Sequence, residues 1–423
     1  MPFVALPGFR DAFPDALARR RLVFEVWRRV AARYGFEEYD GPPLEPLDLY
    51  TQKSGEEIIE QLYAFNDKGG RSVALRPEMT PTLARMVSAR AAQLKKPIRW
   101  FSIPQLFRYE RQQRGRLREH FQLNMDIIGE AGASADAEVI AAAVDIVAEL
   151  GFGPGDVRVR LSDRRVLGAA LAGDRGVTPE EMPGVLAALD KFERSPEATL
   201  KALEAVLGSP ERARAVQGFA ESSGDAVALL ATPAAAGLNE CVAGLRAMGL
   251  GDYVDVDFRI VRGLAYYTGI VFELFDAKRS LRAICGGGRY DDLLKQLGGV
   301  DLPCVGFGMG DVVLGELISE RDGVPVAPAS ADVFVVAVEE GDRADALALA
   351  HALRGRNVRV EYALKRQAVG KQLELAAARG ARHAVIIGSS EREAGEVVVR
   401  DLVTKVESRV RLEEMRRDYA FTL

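Results

Sequence analysis

The chain reads Asp-Phe-Arg-Ile-Val-Arg-Gly-Leu-Ala-Tyr-Tyr-Thr-Gly-Ile-Val-Phe-Glu over residues 257–273, and Cys-Gly-Gly-Gly-Arg-Tyr-Asp over residues 285–291. A β-strand needs only alternating apolar residues, whereas Arg262, Tyr266 and Tyr290 add planar donors and hydroxyl groups. The neighbouring glycines allow a ligand to come close to the backbone. Either segment alone is explained equally well by a strand with a surface arginine and a glycine turn. Together they indicate a pocket for a small polar substrate.

Length and composition limit the class of protein. The 423 residues suffice for roughly two to three domains, and a hydrophobic content of 48% suffices for real cores. A net charge of −5 does not indicate a general nucleic-acid binder, so any contact with a polyanion must come from local basic patches. The three cysteines form no close pair and the three histidines are scattered, which argues against a disulfide framework or a zinc site. With no signal peptide and no long apolar run, we expect a globular cytoplasmic protein without a membrane span.

Hydrophobic periodicity divides the first three quarters of the chain. Between residues 72 and 129, short strand-like segments around one helix, at about residues 81–95, predict a mostly antiparallel sheet. The stretch 165–247 is rich in alanine and leucine, is helical in pattern and reads as an inserted helical module. The sheet pattern then resumes. We therefore predict an α+β fold whose main domain has two parts, residues 1–164 and residues 248–320.

The last part of the chain has a different pattern. Residues 321–330 contain two prolines and several small residues, which predicts a linker. Beyond the linker, short apolar strands alternate with helical stretches. This alternation predicts a small α/β domain with a largely parallel sheet at residues 331–423.

An arginine-rich segment, Phe-Arg-Tyr-Glu-Arg-Gln-Gln-Arg-Gly-Arg-Leu-Arg-Glu, occupies residues 107–119. Its guanidinium groups are costly to bring together unless a polyanion neutralises them, and arginine is suited to bidentate phosphate contacts. If Arg114, Gly115 and Arg116 form the turn between two antiparallel strands, Arg108 lies in the sheet while the loop reaches outward. One arginine then grips a nucleotide while others touch a longer nucleic acid. The alternative is a solvated charged hairpin.

A third segment, Leu-Arg-Pro-Glu-Met-Thr-Pro-Thr, occupies residues 75–82. A strand ends here and a helix begins near Pro81, which leaves Glu78 and Thr80 at the junction. There a carboxylate and a hydroxyl group can hold an ammonium group, although a simple helix cap is the alternative. The chain contains no phosphate-binding Gly-x-x-x-x-Gly-Lys-Ser/Thr loop and no Gly-x-Gly-x-x-Gly fingerprint after a strand. A parallel-sheet nucleotide fold is therefore not supported for the main domain.

In their order along the chain, these segments resemble the histidyl-tRNA synthetases, a family of class II aminoacyl-tRNA synthetases, over nearly the whole length. The segments similar to the N-terminal block and motif 1 region are Pro7-Gly-Phe-Arg-Asp, Tyr34-Gly-Phe, Pro42-Pro-Leu-Glu and Leu75-Arg-Pro-Glu. Residues 107–122 resemble motif 2. Residues 262–269 and 286–291 resemble the two segments peculiar to enzymes that hold histidine.

The resemblance implies a class II antiparallel-sheet catalytic domain, a helical insertion that leans on the tRNA acceptor arm, and a C-terminal α/β anticodon-binding domain. It implies ATP, L-histidine and tRNA(His) as partners and a homodimer as the assembly. It also implies Mg²⁺ that arrives with ATP, and no metal site of the protein's own.

By the same resemblance, Arg108 grips the α-phosphate of ATP and Arg262 stabilises the charge that develops as the histidine carboxylate attacks. That step needs no general base, because a carboxylate is already a nucleophile at neutral pH. The residues implied to bind histidine are Glu78, Thr80, Gln122, Asp126, Tyr266, Tyr267 and Tyr290. Those implied to bind ATP are Arg108, Glu110 and Arg116. Those implied to bind tRNA are Gln113, Arg114 and Arg116.

The chain departs from the family pattern at three positions. Motif 3 usually supplies an arginine over the γ-phosphate of ATP, but the aligned residue here is Val313. Either the chain has lost part of its grip on ATP or another cation replaces this arginine. The candidates are Arg111, Arg116 and Arg289. Asp126 stands where many bacterial members have glutamate and Gln112 where many have proline, which leaves the readout of the tRNA acceptor end open.

The main alternative is a non-catalytic relative, such as the regulatory subunit of ATP phosphoribosyltransferase, which binds histidine without making histidyl-tRNA. Such subunits generally lack the anticodon-binding domain, whereas residues 331–409 resemble it. A third alternative is an RNA-binding sensor that keeps both domains without the chemistry. Exchange of pyrophosphate into ATP distinguishes the enzyme from both.

Overall fold

The computed structural model describes residues 3–51, 60–110, 115–193, 195–221, 226–262, 266–321 and 331–417. The chain divides into two compact units, Met1–Val324 and Pro325–Leu423. Of the predicted linker at 321–330, only residue 321 lies within the described part. In that part, no helix is long and apolar enough to cross a membrane.

The first unit contains two β-sheets. Its described strands are β1 (Glu37–Glu38), β2 (Leu44–Pro46), β3 (Tyr63–Asn66), β4 (Ser72–Leu75), β5 (Ile98–Ser102), β6 (Gln105–Phe107), β7 (Glu119–Ile128), β8 (Val157–Asp163), β9 (Val254–Val256), β10 (Ile270–Asp276), β11 (Cys285–Arg289) and β12 (Cys304–Gly310). The main sheet has the order β1-β5-β7-β12-β11-β10-β8-β9, with β6 paired to β7, and the small sheet has the order β2-β4-β3.

The central pairings of the main sheet are all antiparallel, and within the described strands its parallel pairings join β1 to β5 and β8 to β9 at the two ends. This confirms the predicted mostly antiparallel sheet and the α+β class. The sheet joins strands from before and after the helical stretch, since β8 pairs with β10. The predicted discontinuity of the sheet in sequence is therefore present.

Helices flank the main sheet. Those of the first unit are α1 (Pro14–Arg33), α2 (Asp48–Thr51), α3 (Thr80–Arg90), α4 (Ala133–Glu149), α5 (Arg164–Arg175), α6 (Met182–Leu189), α7 (Pro196–Leu207), α8 (Pro210–Glu221), α9 (Ala226–Leu230), α10 (Ala236–Ala247), α11 (Leu293–Gly298) and α12 (Asp311–Ser319). From α5 to α10 the described residues form helices without an intervening strand. The boundaries predicted for an inserted domain, 165–247, stay a prediction.

Alternation along β7 gives the sheet one apolar face and one polar face. Leu123, Met125 and Ile127 enter the large hydrophobic core beneath the sheet. Because successive strand residues point to opposite faces, Asn124 and Asp126 lie on the other side. Helix α4 covers the apolar face and packs against α1, α10 and β12. Helices α3 and α11 pack together in the second hydrophobic cluster, on the polar side, and leave a cleft beside them.

The second unit is a separate α/β layer structure. Its strands are β13 (Val333–Ala337), β14 (Val360–Tyr362), β15 (His383–Ile387), β16 (Glu396–Asp401) and β17 (Glu407–Arg411), and its helices are α13 (Arg343–Arg354), α14 (Val369–Ala378), α15 (Ser389–Ala394) and α16 (Leu412–Arg417). The order is β14-β13-β15-β16-β17. The first three strands are parallel, as predicted. The last two are antiparallel, so the prediction of a largely parallel sheet was wrong for this half. The outer strand β17 is almost wholly exposed and carries no hydrophobic pattern.

Arg289 at the end of β11 ties the sheet to α4. Its side chain is only 2% exposed and pairs with the buried carboxylate of Asp136 in the first turn of α4. The guanidinium also donates to the carbonyl oxygen of Glu130 at 3.0 Å and to that of Gly132 at 3.1 Å. These contacts satisfy a buried charge with both an opposite charge and backbone acceptors.

We expect Arg289→Ala to lower the free energy of unfolding by about 3–5 kcal/mol, because it leaves Asp136 buried without its partner. Chemical denaturation, followed by a signal from the first unit, measures this loss. Lys295→Ala is the control, since Lys295 and Asp301 form an exposed pair with 60% and 72% of their side chains accessible. We expect no measurable change for the control. Equal denaturation midpoints for wild type and Arg289→Ala would contradict this role.

Candidate functional site

The cleft on the polar face of the main sheet contains two cavities with shared walls. The smaller, about 270 Å³, is lined by Gln122, Asn124 and Asp126 of β7. The larger, about 630 Å³, extends towards the loop between β10 and β11 and the start of α12. Arg108 and Arg262 line both cavities, so these two arginines stand at the boundary between them.

Glycines in β11 and β12 make room for the side chains of the cleft. A Cβ atom added at Gly286 would overlap the guanidinium of Arg262, and one added at Gly306 would overlap the carboxylate of Asp126. In the register of the sheet, Gly306 lies directly opposite Asp126. From the sequence alone, we interpret these glycines as room for a ligand. The structure shows that they first make room for the site's own charged groups.

The backbone around Arg262 is held in an unusual conformation. Arg262 has φ = 60°, in the left-handed region that non-glycine residues rarely adopt. Arg164, the first residue of α5, supports it by donating to the carbonyl oxygens of Val261 at 3.1 Å and Tyr267 at 2.9 Å. The guanidinium of Arg262 donates through Nη1 to Glu273 Oε1 of β10 at 2.5 Å. Its position is therefore fixed from both the backbone and the side chain.

Arg262 is charged although only 21% of its side chain is exposed. Burial opposes the charge, but the Glu273 carboxylate and Tyr267 together outweigh it and raise the pKa of Arg262. Its Nε is buried and has no hydrogen-bond partner among the described residues. Because buried donors are nearly always paired in native proteins, this atom is suited to an anionic ligand group.

Two tyrosine hydroxyls meet two carboxylates in the smaller cavity. Tyr266 donates to Glu78 Oε2 at 3.1 Å, and Tyr290 donates to Asp126 Oδ1. The two tyrosine rings meet edge to face, with their centroids 5.9 Å apart. Thr80, the first residue of α3, lines the same cavity. This arrangement offers acceptors to a ligand with an ammonium group at one end and an N–H donor at the other.

Asp126 is poised to change its charge near neutral pH. Burial raises the pKa of Asp126 to about 7, although the hydrogen bond from Tyr290 opposes the shift. His120, which lines the larger cavity, behaves in the opposite way. Burial, together with the charges of Arg108, Arg10 and Arg116, lowers the pKa of His120 to about 3, so its imidazole is neutral at physiological pH.

The arginine-rich segment is partly placed. Arg108 follows β6; its backbone N–H donates to the carbonyl oxygen of Arg118 at 3.0 Å and its Nε donates to that of Pro77 at 2.8 Å. Arg116 forms an ion pair with the buried carboxylate of Glu110. The residues of this segment that lie outside the described part are Arg111, Gln112, Gln113 and Arg114. The predicted tRNA contacts of Gln113 and Arg114 therefore stay predictions.

The structure brings the other predicted site residues into one cavity. Those that line it are Glu78, Thr80, Arg108, Glu110, Arg116, Gln122, Asp126, Arg262, Tyr266, Tyr267 and Tyr290. Their individual roles stay predictions. The sequence analysis missed Asn124, Asp190 and Glu273, which line the same cavity. The alternation of β7 could have revealed Asn124. Asp190, at the end of α6 in the helical stretch, carried no signal that could have revealed it.

Arg289 was wrong as a candidate cation for phosphate. It lies on the apolar face of the sheet and pairs with Asp136 beneath it, because successive residues of β11 alternate between the faces. Val313 lies in the first turn of α12, is 8% exposed and belongs to the hydrophobic core, while it also borders the larger cavity. This position supplies no cation.

Comparisons with known proteins cover nearly the whole chain. A family model described as histidyl-tRNA synthetase matches residues 8–310, and a model described as anticodon binding domain matches residues 332–417. The chain is 45% identical to a histidine–tRNA ligase of Opitutus terrae, with 99% of each chain covered. It is 40% identical to the chloroplastic/mitochondrial histidine–tRNA ligase of Arabidopsis thaliana, over 96% of this chain and 85% of that one.

The fold is likewise similar to a solved structure. The crystal structure of a histidyl-tRNA synthetase from Nostoc sp. matches with a TM-score of 0.80 at 24% identity, with 99% of each chain covered. This likeness concerns the fold of the chain.

We predict that Asp126→Asn removes a pH dependence from the stability of the ligand-free protein. The pKa of Asp126 is about 7 in the folded chain, against an ordinary value of about 3.9 in the unfolded chain. The folded state holds the proton more tightly, so the stability contributed by the protonated form is fully present below about pH 4 and is lost as the pH rises to about 7.

Between pH 4 and pH 8, wild type should therefore lose up to roughly 4 kcal/mol relative to Asp126→Asn. Chemical unfolding of both proteins across this range gives the difference directly. Asp301→Asn, which changes a largely exposed carboxylate, is the control and should follow wild type. Parallel stability curves for wild type and Asp126→Asn would show that Asp126 is not perturbed.

Proposed function

This chain belongs to the histidyl-tRNA synthetase family, and we infer that it activates histidine with ATP and transfers the histidyl group to tRNA(His). One observation of the site carries the inference. A carboxylate-lined cavity and an arginine-lined cavity meet at Arg108 and Arg262, with the buried Nε of Arg262 at the boundary. An amino acid and a nucleotide held in these two cavities would meet where positive charge is already placed.

Histidine occupies the smaller cavity in this proposal. Glu78 and Thr80 accept hydrogen bonds from its α-ammonium group, and Tyr266, which donates to Glu78, keeps that carboxylate in place. Asp126 and Tyr290 face the imidazole. Because the pKa of Asp126 is about 7 and that of imidazole is about 6.5, the pair exchanges a proton at little cost near neutral pH. Gln122 and Tyr267 complete the walls.

ATP occupies the larger cavity. A histidine carboxylate oxygen attacks the α-phosphorus; the new O–P bond forms as the bond to the β-phosphate oxygen breaks, and pyrophosphate leaves. Arg108 holds the α-phosphate, and Arg262 stabilises the negative charge that grows on it in the transition state. A terminal ribose hydroxyl of tRNA then attacks the activated carbonyl and AMP leaves. The residues proposed to contact the nucleotide or tRNA besides these are Glu110, Gln113, Arg114 and Arg116.

In this proposal Mg²⁺ arrives with ATP and is not a resident metal of the protein. Among the described residues, no group of three His, Cys, Asp or Glu side chains is placed to hold a metal ion. Glu110 and Glu273 are paired with arginines. At nucleotide sites Mg²⁺ is commonly held by substrate phosphates, several water molecules and one or two carboxylates. When bound, it supplies positive charge that stabilises the leaving pyrophosphate.

A regulatory, non-catalytic role is not favoured. The chain carries the C-terminal unit that matches the anticodon binding domain, and it covers 99% of a histidine–tRNA ligase at 45% identity. Arg108 and Arg262 both line the cleft, as adenylation would require.

The proposal also includes a homodimer and a cytoplasmic location. The N-terminal segment exposes Phe3, Val4, Leu6 and Phe13, which is the kind of apolar surface that a partner subunit buries. The three cysteines are buried and unpaired, as expected in a reducing compartment. Light scattering tests the dimer.

Histidine-dependent exchange of labelled pyrophosphate into ATP is the direct test of the function. We expect exchange with histidine and Mg²⁺, and none with the other amino acids. Charging of a tRNA(His) transcript by the same preparation tests the second step. Folded protein that binds histidine but supports no exchange would favour the regulatory alternative.

We expect Arg262→Ala to reduce the rate of histidine activation by about 10²–10³, because it removes one preorganised charge donor at the reacting phosphate. Single-turnover adenylate formation measures the rate, and calorimetry measures histidine binding, which should change little. Arg158→Ala is the matched control, since Arg158 pairs with Asp255 away from both cavities. A loss of histidine affinity equal to the loss of rate would contradict a transition-state role.

A further inference from the structure

The larger cavity is basic beyond the part that the proposed reaction uses. Its described walls carry seven arginines and four carboxylates. The arginines are Arg108, Arg116, Arg160, Arg259, Arg262, Arg279 and Arg282. Arg108 and Arg262 mark the end shared with the smaller cavity, where the α-phosphate is proposed to lie. Gly115, Arg282 and Val313 line the larger cavity but not the smaller one, and this part of the wall is where the rest of the triphosphate is proposed to lie.

Arg282 lies in this part of the wall. Gly115, where the described part of the arginine-rich segment resumes, has φ = 73°. A Cβ atom added there would lie 3.3 Å from Val313 Cγ2 and 3.8 Å from Arg282 Cδ. Arg282 therefore approaches the same point as the apolar side chain of Val313. The loop between β10 and β11 thus brings a guanidinium to a place where α12 offers none.

The loop that carries Arg282 is ordered by its own hydrogen bonds. The buried carboxylate of Asp276, at the end of β10, accepts from the backbone N–H of Ser280 at 2.9 Å and from that of Leu281 at 3.0 Å. On the other side, the backbone N–H of Ile284 donates to the carbonyl oxygen of Leu274 at 2.8 Å. The residues on both sides of Arg282 are thus fixed before a ligand binds, which lowers the cost of using its charge.

Position distinguishes Arg282 from its neighbours. The stem of Arg282 lies within 4 Å of the Cβ position at Gly115, whereas no atom of Arg160, Arg259 or Arg279 comes that close. Arg282 is only partly exposed and comes close to the same point as Val313 in the first turn of α12; Gly310, which caps this helix, and Val312 in its first turn also line the cavity. A helix N-terminus adds positive potential to such a site.

We propose that Arg282 holds the β- and γ-phosphates of ATP, the part that leaves as pyrophosphate, and so supplies the cation that position 313 lacks. This inference rests on the proposed function, because it assumes that the larger cavity takes ATP. In this role Arg282 contacts substrate and neutralises the leaving group, while Arg108 and Arg262 act on the α-phosphate.

Nucleotide binding to Arg282→Ala tests the proposal without turnover. A charge-assisted contact to phosphate is worth enough that its loss should weaken Mg²⁺–ATP binding by about 10- to 100-fold. AMP, which lacks the leaving phosphates, should bind within about twofold of wild type, as should histidine. In the exchange assay, the KM for pyrophosphate should rise by a similar factor to that for ATP. Lys278→Ala is the matched control, since Lys278 is an exposed cation of the same loop that does not line the cavity.

A second variant tests the geometry. Arg282→Ala/Val313→Arg places a guanidinium at a residue that borders the same point, so it should regain at least part of the lost ATP affinity. If Arg282→Ala lowers the thermal midpoint, Arg282→Gln, which keeps most of the side-chain stem, replaces it. Equal losses for ATP and AMP, an unchanged ATP affinity, or an equal loss in Lys278→Ala would each overturn the role of Arg282. Absence of histidine-dependent exchange in wild type that binds ATP more tightly than AMP would overturn the proposed function alone.

Discussion

The ion pair between Arg262 and Glu273 fixes the positive charge that stands where the two cavities meet. Arg262 is held with φ = 60° and only 21% of its side chain is exposed, so both its backbone and its charge need support. Glu273 of β10 provides the opposite charge, and Arg164 holds the adjoining carbonyl oxygens. Gly286 of the neighbouring strand must lack a side chain for the same guanidinium to fit. The charge of Arg262 therefore constrains which residues can stand at these positions of β10, β11 and α5.

This dependence explains why sequence reasoning located the site but described parts of it wrongly. Alternating apolar residues predicted the antiparallel main sheet, and Arg262, Tyr266 and Tyr290 predicted a polar pocket, because both patterns are local. Gly286 makes room for Arg262, more than twenty positions earlier in the chain, and Gly306 makes room for Asp126, more than a hundred positions earlier. Neither partner can be identified from the residues next to the glycine. Glycine in a strand signals close approach, but it does not say whether a ligand or a protein side chain approaches.

The errors at Arg289 and in the second unit have equally physical causes. A one-residue shift along a strand moves a side chain to the opposite face, so an arginine beside three glycines was assigned to the cleft although it lies beneath the sheet. Strand β17 lies at the edge of its sheet and is nearly all exposed, so it needs no apolar pattern and gave no signal. Arg282 was missed because a loop arginine is indistinguishable in sequence from a solvated one until its neighbours are known.

Two buried aspartates on opposite faces of the main sheet, Asp136 and Asp126, have differently balanced charges. Asp136 lies beneath the sheet. Burial raises its pKa, and the paired guanidinium of Arg289 opposes that rise. Arg289 is itself held by the carbonyl oxygens of Glu130 and Gly132. Asp126 lies on the cleft side, where it accepts a hydrogen bond from the hydroxyl of Tyr290, and burial raises its pKa to about 7. A fold selected for stability alone would give Asp126 a cation as well. The incompletely balanced charge of Asp126 is consistent with the proposal that it faces a ligand able to share a proton near neutral pH, such as an imidazole.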